Sequence, residues 1–188
     1  PADGLKVKLG KQVLEDREPF TDDNLNRIFH APGYRDDSFS KAYMFWTPVI
    51  GLYTGCRLNE ICQLHLEDIR MECGVWVFDI NDDGPDRKLK NASSRRLVPL
   101  HPFLTDDLNL PGYVERMRTQ GHRRLFPELS KGRDGYGKNV STWFRRWRRK
   151  IGVDKTFHSF RHTFIGHLKD RMVDPVMLQE VAGHTVDS

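Results

Sequence analysis

The sequence has no apolar run long enough to cross a membrane, no stretch of signal-peptide character, no internal repeat and no low-complexity segment. These absences point to a reduced, cytoplasmic protein rather than a secreted or membrane-spanning one. Cysteine is scarce: Cys56, Cys62 and Cys73 are the only three, without the paired Cys-x-x-Cys knuckles that preorganise a tetrahedral zinc site. Cys56, Cys62, His65 and Cys73 could supply four ligands in principle. However, Cys62 shares an apolar stripe with Leu58, Ile61 and Leu64, so buried small hydrophobes are the better reading, and neither metal nor cofactor is expected. Excess charge of either sign is also small, since 30 Lys and Arg against 26 Asp and Glu leave a net charge of +4. A pI near 9.0 favours a nucleic-acid partner only where the positive side chains cluster. A chain of 188 residues has room for one domain with a substantial core, and little for a second.

What the sequence does hold is mostly helical. The opening PADGLKVKLGKQVLEDRE, residues 1–18, begins without methionine and shows no periodicity, so it reads as a linker ahead of a domain at residues 19–188. Thr21 can cap a helix before Asp22 and Asp23, with Leu25, Ile28 and Phe29 on one face. A long apolar helix is expected through Phe39, Tyr43, Phe45, Trp46, Val49, Ile50 and Tyr53, closed by Gly55 and kinked or broken at Pro48. Residues 58–64 read as a short helix, and Val75 to Ile80 as a strand by its β-branched and aromatic content. The turn-rich NDDGPD and the later RRLVPL suggest a small antiparallel sheet with the stretch Arg87 to Leu89 as its middle strand. After Pro102 the pattern is helical again, with loops expected at Pro111 and Gly112 and over residues 131–137. The expected class is therefore mainly α with one small antiparallel β-sheet inserted.

On that scaffold several polar residues suggest an anion site. His158 and Arg161 are three apart at the start of a helix, so they project from one face beside the free N–H groups and positive dipole end of that start. Arg57 lies in the turn between the long and the short helix, with Glu60 three residues on to fix its guanidinium. His184 follows Gly183 at a helix end, where a sharp turn can aim the imidazole inward. Each piece alone has a plainer explanation, because an isolated His-x-x-Arg is usually a surface pair and an arginine before a helix usually a salt-bridge partner.

The order of the pieces is far more specific. TGCRLNEICQLHLEDI is followed by a hairpin lysine ahead of SSRRLVPL, then by HSFRHTF, then by LQEVAGH. This set resembles the catalytic domain of the tyrosine recombinases, the phage integrase family, from about Pro19 to Ser188. The resemblance implies that family's DNA breaking-rejoining fold, with Arg57, Lys90, His158, Arg161 and His184 as catalytic residues and Glu60 in support. Lys88 is the less suitable lysine, since Lys90 stands at the family's usual distance before Ser94, Arg95 and Arg96. The implied reaction is metal-free cleavage of a phosphodiester through a 3′-phosphotyrosyl intermediate. Arginines stabilise charge on the nonbridging oxygens, Lys90 protonates the leaving 5′ oxygen, and the histidines assist.

The family's attacking tyrosine would lie past Ser188. Tyr34, Tyr43, Tyr53, Tyr113 and Tyr136 all precede the His-x-x-Arg unit and read as structural, so this chain by itself is expected not to cleave DNA. The resemblance further implies a missing N-terminal DNA-binding domain, a C-terminal segment beyond the chain, and double-stranded attachment-site DNA as partner. The whole protein would then be a tetramer on DNA, and this stretch a monomer. Asn139 to Ile151 reads as an amphipathic helix with Val140, Phe144, Trp147 and Ile151 on one face and Arg145, Arg146, Arg148, Arg149 and Lys150 around the rest. In the family the early part of this helix approaches the major groove, which nominates Lys138, Ser141, Thr142 and Arg145 as DNA contacts. A type IB topoisomerase and a noncatalytic DNA-binding relic of an integrase are the alternatives.

Overall fold

A computed structural model describes residues 18–183 of the chain. Its elements are α1 (Asp22–Phe29), α2 (Ala42–Thr54), α3 (Leu58–Cys62), β1 (Ile69–Glu72), β2 (Val75–Ile80), β3 (Arg96–Pro99), α4 (Leu110–Thr119), α5 (Gly137–Lys150), α6 (His158–Asp170) and α7 (Pro175–Ala182). The expected class, mainly helical with one three-stranded antiparallel sheet, is what the molecule shows. Among the described residues no helix is long and apolar enough to cross a membrane.

Helix α2 is the spine. Its sequence is apolar almost all round, as befits a helix enclosed by others, and Tyr43, Trp46, Val49 and Ile50 are buried. It starts at Ala42, later than Phe39, and passes Pro48 without breaking. Gly51 admits α6: a Cβ there would stand 3.1 Å from the Phe157 ring and 3.4 Å from Phe160 Cβ. Thr21 caps α1 as expected, its hydroxyl accepting the Asn24 N–H at 3.2 Å while the Asn24 side chain accepts the Thr21 N–H at 3.3 Å. The segment ahead of α1 docks onto α6, with Phe20 against the Phe160 ring at 4.6 Å and its N–H on Thr163 Oγ1 at 2.8 Å.

The sheet corrects one expectation. Its order is β1-β2-β3, so β2 is the middle strand, pairing Ile69 with Phe78 on one side and Phe78 with Val98 on the other. Cys73 and Gly74 make the two-residue turn between β1 and β2, both at positive φ (48° and 82°). Arg87 to Leu89 is not a strand, because its groups are committed elsewhere. The Arg87 guanidinium, 7% exposed, binds both Asp68 carboxylate oxygens at 2.7 and 2.8 Å, the Lys88 N–H donates to Gln63 Oε1 at 3.1 Å, and Leu89 is buried. With Asp86 held by His65 at 3.1 Å and by the Tyr136 hydroxyl at 3.2 Å, these bonds lay the long β2–β3 connection against α3.

Two helical boundaries also differ. Pro111 and Gly112 lie in the first turn of α4, where a missing N–H costs nothing, and Asn109 caps that turn in a left-handed conformation by accepting the Gly112 N–H at 3.1 Å. Residues 58–64 give a helix only to Cys62.

Candidate active site

The site begins where α2 stops. Gly55 is left-handed (φ 63°) and a Cβ there would sit 2.5 Å from the Phe164 ring, so the turn requires glycine on both counts. Arg57 then takes the N-cap of α3, and Glu60 reaches back from the first turn. One Glu60 oxygen accepts the Arg57 backbone N–H at 2.8 Å, and the other accepts its guanidinium at 2.7 Å. The same guanidinium donates to Ser94 Oγ at 3.2 Å and to the Gly183 carbonyl at 3.4 Å.

Arg161, in the first turn of α6, is 3% exposed. It donates to the Gly55 carbonyl at 2.8 Å and to the Ala182 carbonyl, the C-terminal ends of α2 and α7, where helix dipoles are negative. A guanidinium has five N–H donors. Three of Arg57 and two of Arg161 are used by these bonds, so both keep donors for a ligand.

Glu60 serves two guanidiniums, because Arg96 also donates to it, at 3.0 Å. Burial alone would raise the Glu60 pKa; the bonds from Arg96 and Arg57 outweigh it and hold the carboxylate below its ordinary value. Burial, then the charges of Arg57 and Arg96, lowers Arg161 to about 10, which leaves it protonated at neutral pH. Two arginines thus pair with one carboxylate while a third, Arg161, feels its charge, and positive charge remains in surplus.

His158 opens α6 with its side chain toward solvent and its ring edge-on to His162 at 4.7 Å. Partial desolvation, followed by the charges of His162, Arg161, Arg57 and Lys90, brings its pKa to about 4, so the imidazole is neutral at pH 7. A bound phosphate would oppose those cations. Nuclear magnetic resonance titration of the His158 ring is therefore expected to give a pKa near 4 in the free protein and a clear rise on adding DNA; an unchanged value would place the phosphate elsewhere. Lys90 is exposed, and among the described residues no hydrogen bond or ion pair holds its ammonium. Of Lys88 and Lys90, the second is the one whose charge acts on His158. The start of α6 is less open than the sequence suggested, since the Ser159 and Phe160 N–H groups bond to the Thr156 and Phe157 carbonyls at 3.1 and 3.2 Å. His184 lies outside the described residues; Gly183 just before it is left-handed.

The tyrosines are engaged elsewhere. Tyr34, Tyr113 and Tyr136 donate to the Phe45 carbonyl, the Leu125 carbonyl and Asp86, Tyr43 is buried, and Tyr53 stacks on Phe103 at 5.0 Å. Cys56 and Cys62 are buried, and burial pushes both thiols up, which leaves them poor nucleophiles; Cys73 is exposed in its turn.

The nominated DNA contacts sit on α5, apart from the arginines. Lys138, Ser141 and Arg145 are exposed and Thr142 half-buried, while Val140 and Phe144 point inward. Arg148 departs from the expected solvated face: it is buried and donates to the Val153 carbonyl at 3.0 Å. Phe144 meets Phe157 and Phe160 at 5.4 and 5.6 Å, the residues flanking His158. Truncating such a phenylalanine costs about 3–5 kcal/mol, several times the worth of an exposed ion pair, so this contact sets where α5 lies. Its N-terminus rests on α3, with the Tyr136 N–H on Asn59 Oδ1 at 2.8 Å.

Arg96 and Ser94 are site residues that motif reasoning passed over. Strand alternation was the available signal: Arg96 shares the inward side with Val98, whereas Arg95 and Leu97 are exposed.

The phage integrase family model matches residues 18–188. The tyrosine recombinase XerA of Thermococcus kodakarensis is 30% identical over 139 residues, covering 73% of this chain and 45% of that protein. XerA of Pyrococcus furiosus is 32% identical over 139 residues, covering 72% and 44%. The chain thus spans less than half the length of these relatives. Among solved structures, the crystal structure of XerA recombinase gives a TM-score of 0.62 at 20% identity over 89% of this chain and 56% of that one. A lambda integrase tetramer bound to a Holliday junction gives 0.57 at 20% identity over 92% and 48%. At that identity the structural likeness speaks for the fold, and the family match over nearly the whole sequence speaks for descent: this chain belongs to the phage integrase family.

Proposed function

We propose that the protein containing this chain is a site-specific DNA recombinase that breaks and rejoins double-stranded DNA through a 3′-phosphotyrosyl bond. The surplus of buried guanidinium charge around Glu60, with donors on Arg57 and Arg161 unspent, is the observation that carries this reading. Transesterification at phosphorus loads negative charge onto the nonbridging oxygens, and rigid guanidiniums placed for those oxygens stabilise the transition state more than the ground state.

In this mechanism Arg57 and Arg161 hold the scissile phosphate. Lys90, whose ammonium is unrestrained, gives its proton to the departing 5′ oxygen. Neutral His158 donates a hydrogen bond and can take a proton, and His184 completes the set of donors. The reaction also needs a tyrosine nucleophile, and Tyr34, Tyr43, Tyr53, Tyr113 and Tyr136 are all engaged in packing or hydrogen bonds, so these 188 residues by themselves are proposed to bind DNA without cleaving it. The whole protein acts in the cytoplasm, as a tetramer on its DNA site.

The test is to incubate the full-length protein with supercoiled DNA carrying the ends of its own genetic element, and to trap covalent adducts by denaturation. An adduct on the 3′ phosphate supports the proposal. Absence of any adduct refutes it, and relaxation without sequence preference would assign the chemistry to a topoisomerase instead.

The exposed face of α5 is assigned to the duplex. Arg145→Ala is expected to lower the salt dependence of DNA affinity by about one unit of logarithmic slope, as loss of one phosphate contact does. An unaltered slope would remove this helix from the interface.

A further inference from the structure

We infer that Arg96 is a positioning residue of the active site: it locks Glu60, the segment behind Lys90 and the end of α7 into one arrangement without touching the phosphate. This rests on the recombinase reading above.

Arg96 opens β3, paired with Ile80, and its side chain is 6% exposed. Its Nε donates to the Val181 carbonyl at 2.7 Å, one terminal nitrogen to the Ser94 carbonyl at 2.8 Å and Glu60 Oε1 at 3.4 Å, and the other to Glu60 Oε2 at 3.0 Å and Cys56 Sγ at 3.7 Å. All five donors therefore have an acceptor, the reverse of the situation at Arg57 and Arg161. A fully spent guanidinium cannot hold substrate, but it can fix what does.

Each acceptor leads to a different working group. Glu60 holds Arg57 through two bonds. Ser94 ends the 3₁₀ turn that follows Lys90 and receives Arg57 on its hydroxyl. Val181 lies in the last turn of α7, whose Ala182 and Gly183 carbonyls take Arg161 and Arg57. The fit at that end is close, for a Cβ on Gly183 would approach the Arg96 guanidinium to 2.9 Å. Only a planar fork reaches three separate backbone and carboxylate acceptors at once; an ammonium supplies three donors from a single point.

The experiment compares Arg96→Met and Arg96→Lys with the parent sequence in two measurements. In the full-length recombinase, single-turnover cleavage by the methionine variant is expected to fall by at least ~10-fold, as small misplacements of catalytic groups do, with DNA affinity nearly unchanged. Its acid limb should also move to higher pH, because Glu60 loses its largest stabilising partner while Arg57, Arg161 and the neutral Cys56 thiol remain around it. Lysine restores the acid limb, since it returns a positive charge to Glu60, and recovers only part of the rate. In the 188-residue chain, exchange of the Arg57 guanidinium protons with solvent is expected to quicken in the methionine variant and to slow again with lysine.

A methionine variant that cleaves and exchanges like the parent overturns the inference. So does a rate loss that follows loss of thermal stability with the acid limb unmoved, which would make Arg96 structural only. Failure of the parent protein to form any adduct would strike the recombinase reading instead, and the proton-exchange measurement would still decide the role of Arg96.

Discussion

Glu60→Gln is expected to destabilise the chain by about 3–5 kcal/mol, the usual consequence of removing one partner from a buried ion pair. The substitution keeps shape and volume, so packing changes little. What changes is that Arg57 and Arg96 lose the only carboxylate that pairs with them among the described residues, Arg161 loses an opposing charge, and an amide NH₂ faces guanidinium donors. Against a total stability of about 5–15 kcal/mol for a domain, that is enough to empty much of the native population on modest heating. Urea denaturation at neutral pH measures it, and a loss below ~1 kcal/mol would mean that the Glu60 pairs are as weak as surface ones. The pH dependence has a fixed sign. The folded-state pKa of Glu60 is lowered, so its stabilisation is present above the ordinary carboxylate value and is lost as pH falls through the folded one. Glu60→Gln should lack that acid-sensitive part.

Arg161→Lys is expected to reduce single-turnover cleavage by the full-length protein on the order of a hundredfold or more, the typical effect of deleting one preorganised donor to a developing charge. Positive charge is conserved, so long-range attraction for DNA persists and affinity should change little. Geometry is not conserved. The Arg161 fork spans the Gly55 and Ala182 carbonyls and still has donors left, whereas a lysine that satisfies both carbonyls has little to offer a phosphate. Equal losses in affinity and rate would instead describe a residue that only binds.

Much of this arrangement could be read from residue patterns, because local rules govern it. The Thr21 cap, the enclosed apolar helix α2, the inward face of α5 and the link from Arg57 to Glu60 three residues on are all settled within a few positions. The errors have a common origin in partners outside the element concerned, some near along the chain and some far. Ile69–Glu72 is short and carries two charged residues, so it had no strand signature until β2 lay beside it. Arg87 to Leu89 looked free to pair, but Asp68 and Gln63 hold it from across the fold. Arg96 entered only as a marker of the spacing from Lys90, and alternation along β3 with its contacts to Glu60 and Val181 shows it to be enclosed. Arg148 was misjudged in the same way, its acceptor being the Val153 carbonyl beyond the helix end.

The span of the bonds that close the arginine cluster has a consequence for how the protein folds. Arg57 reaches Gly183 across 126 positions and Arg161 reaches Gly55 across 106. Chain closure over such distances is entropically costly and is rewarded only after the intervening helices have packed. The helices and the β1–β2 hairpin can therefore assemble first, and the arginine cluster locks last. Substitutions such as Arg161→Lys should accelerate unfolding while leaving the folding rate nearly untouched, a pattern read directly from the two arms of a chevron plot. During synthesis the same order would leave Arg57 and Arg161 without these carbonyl partners until α7 has been made, so on the proposed reading any grip on a phosphate comes last.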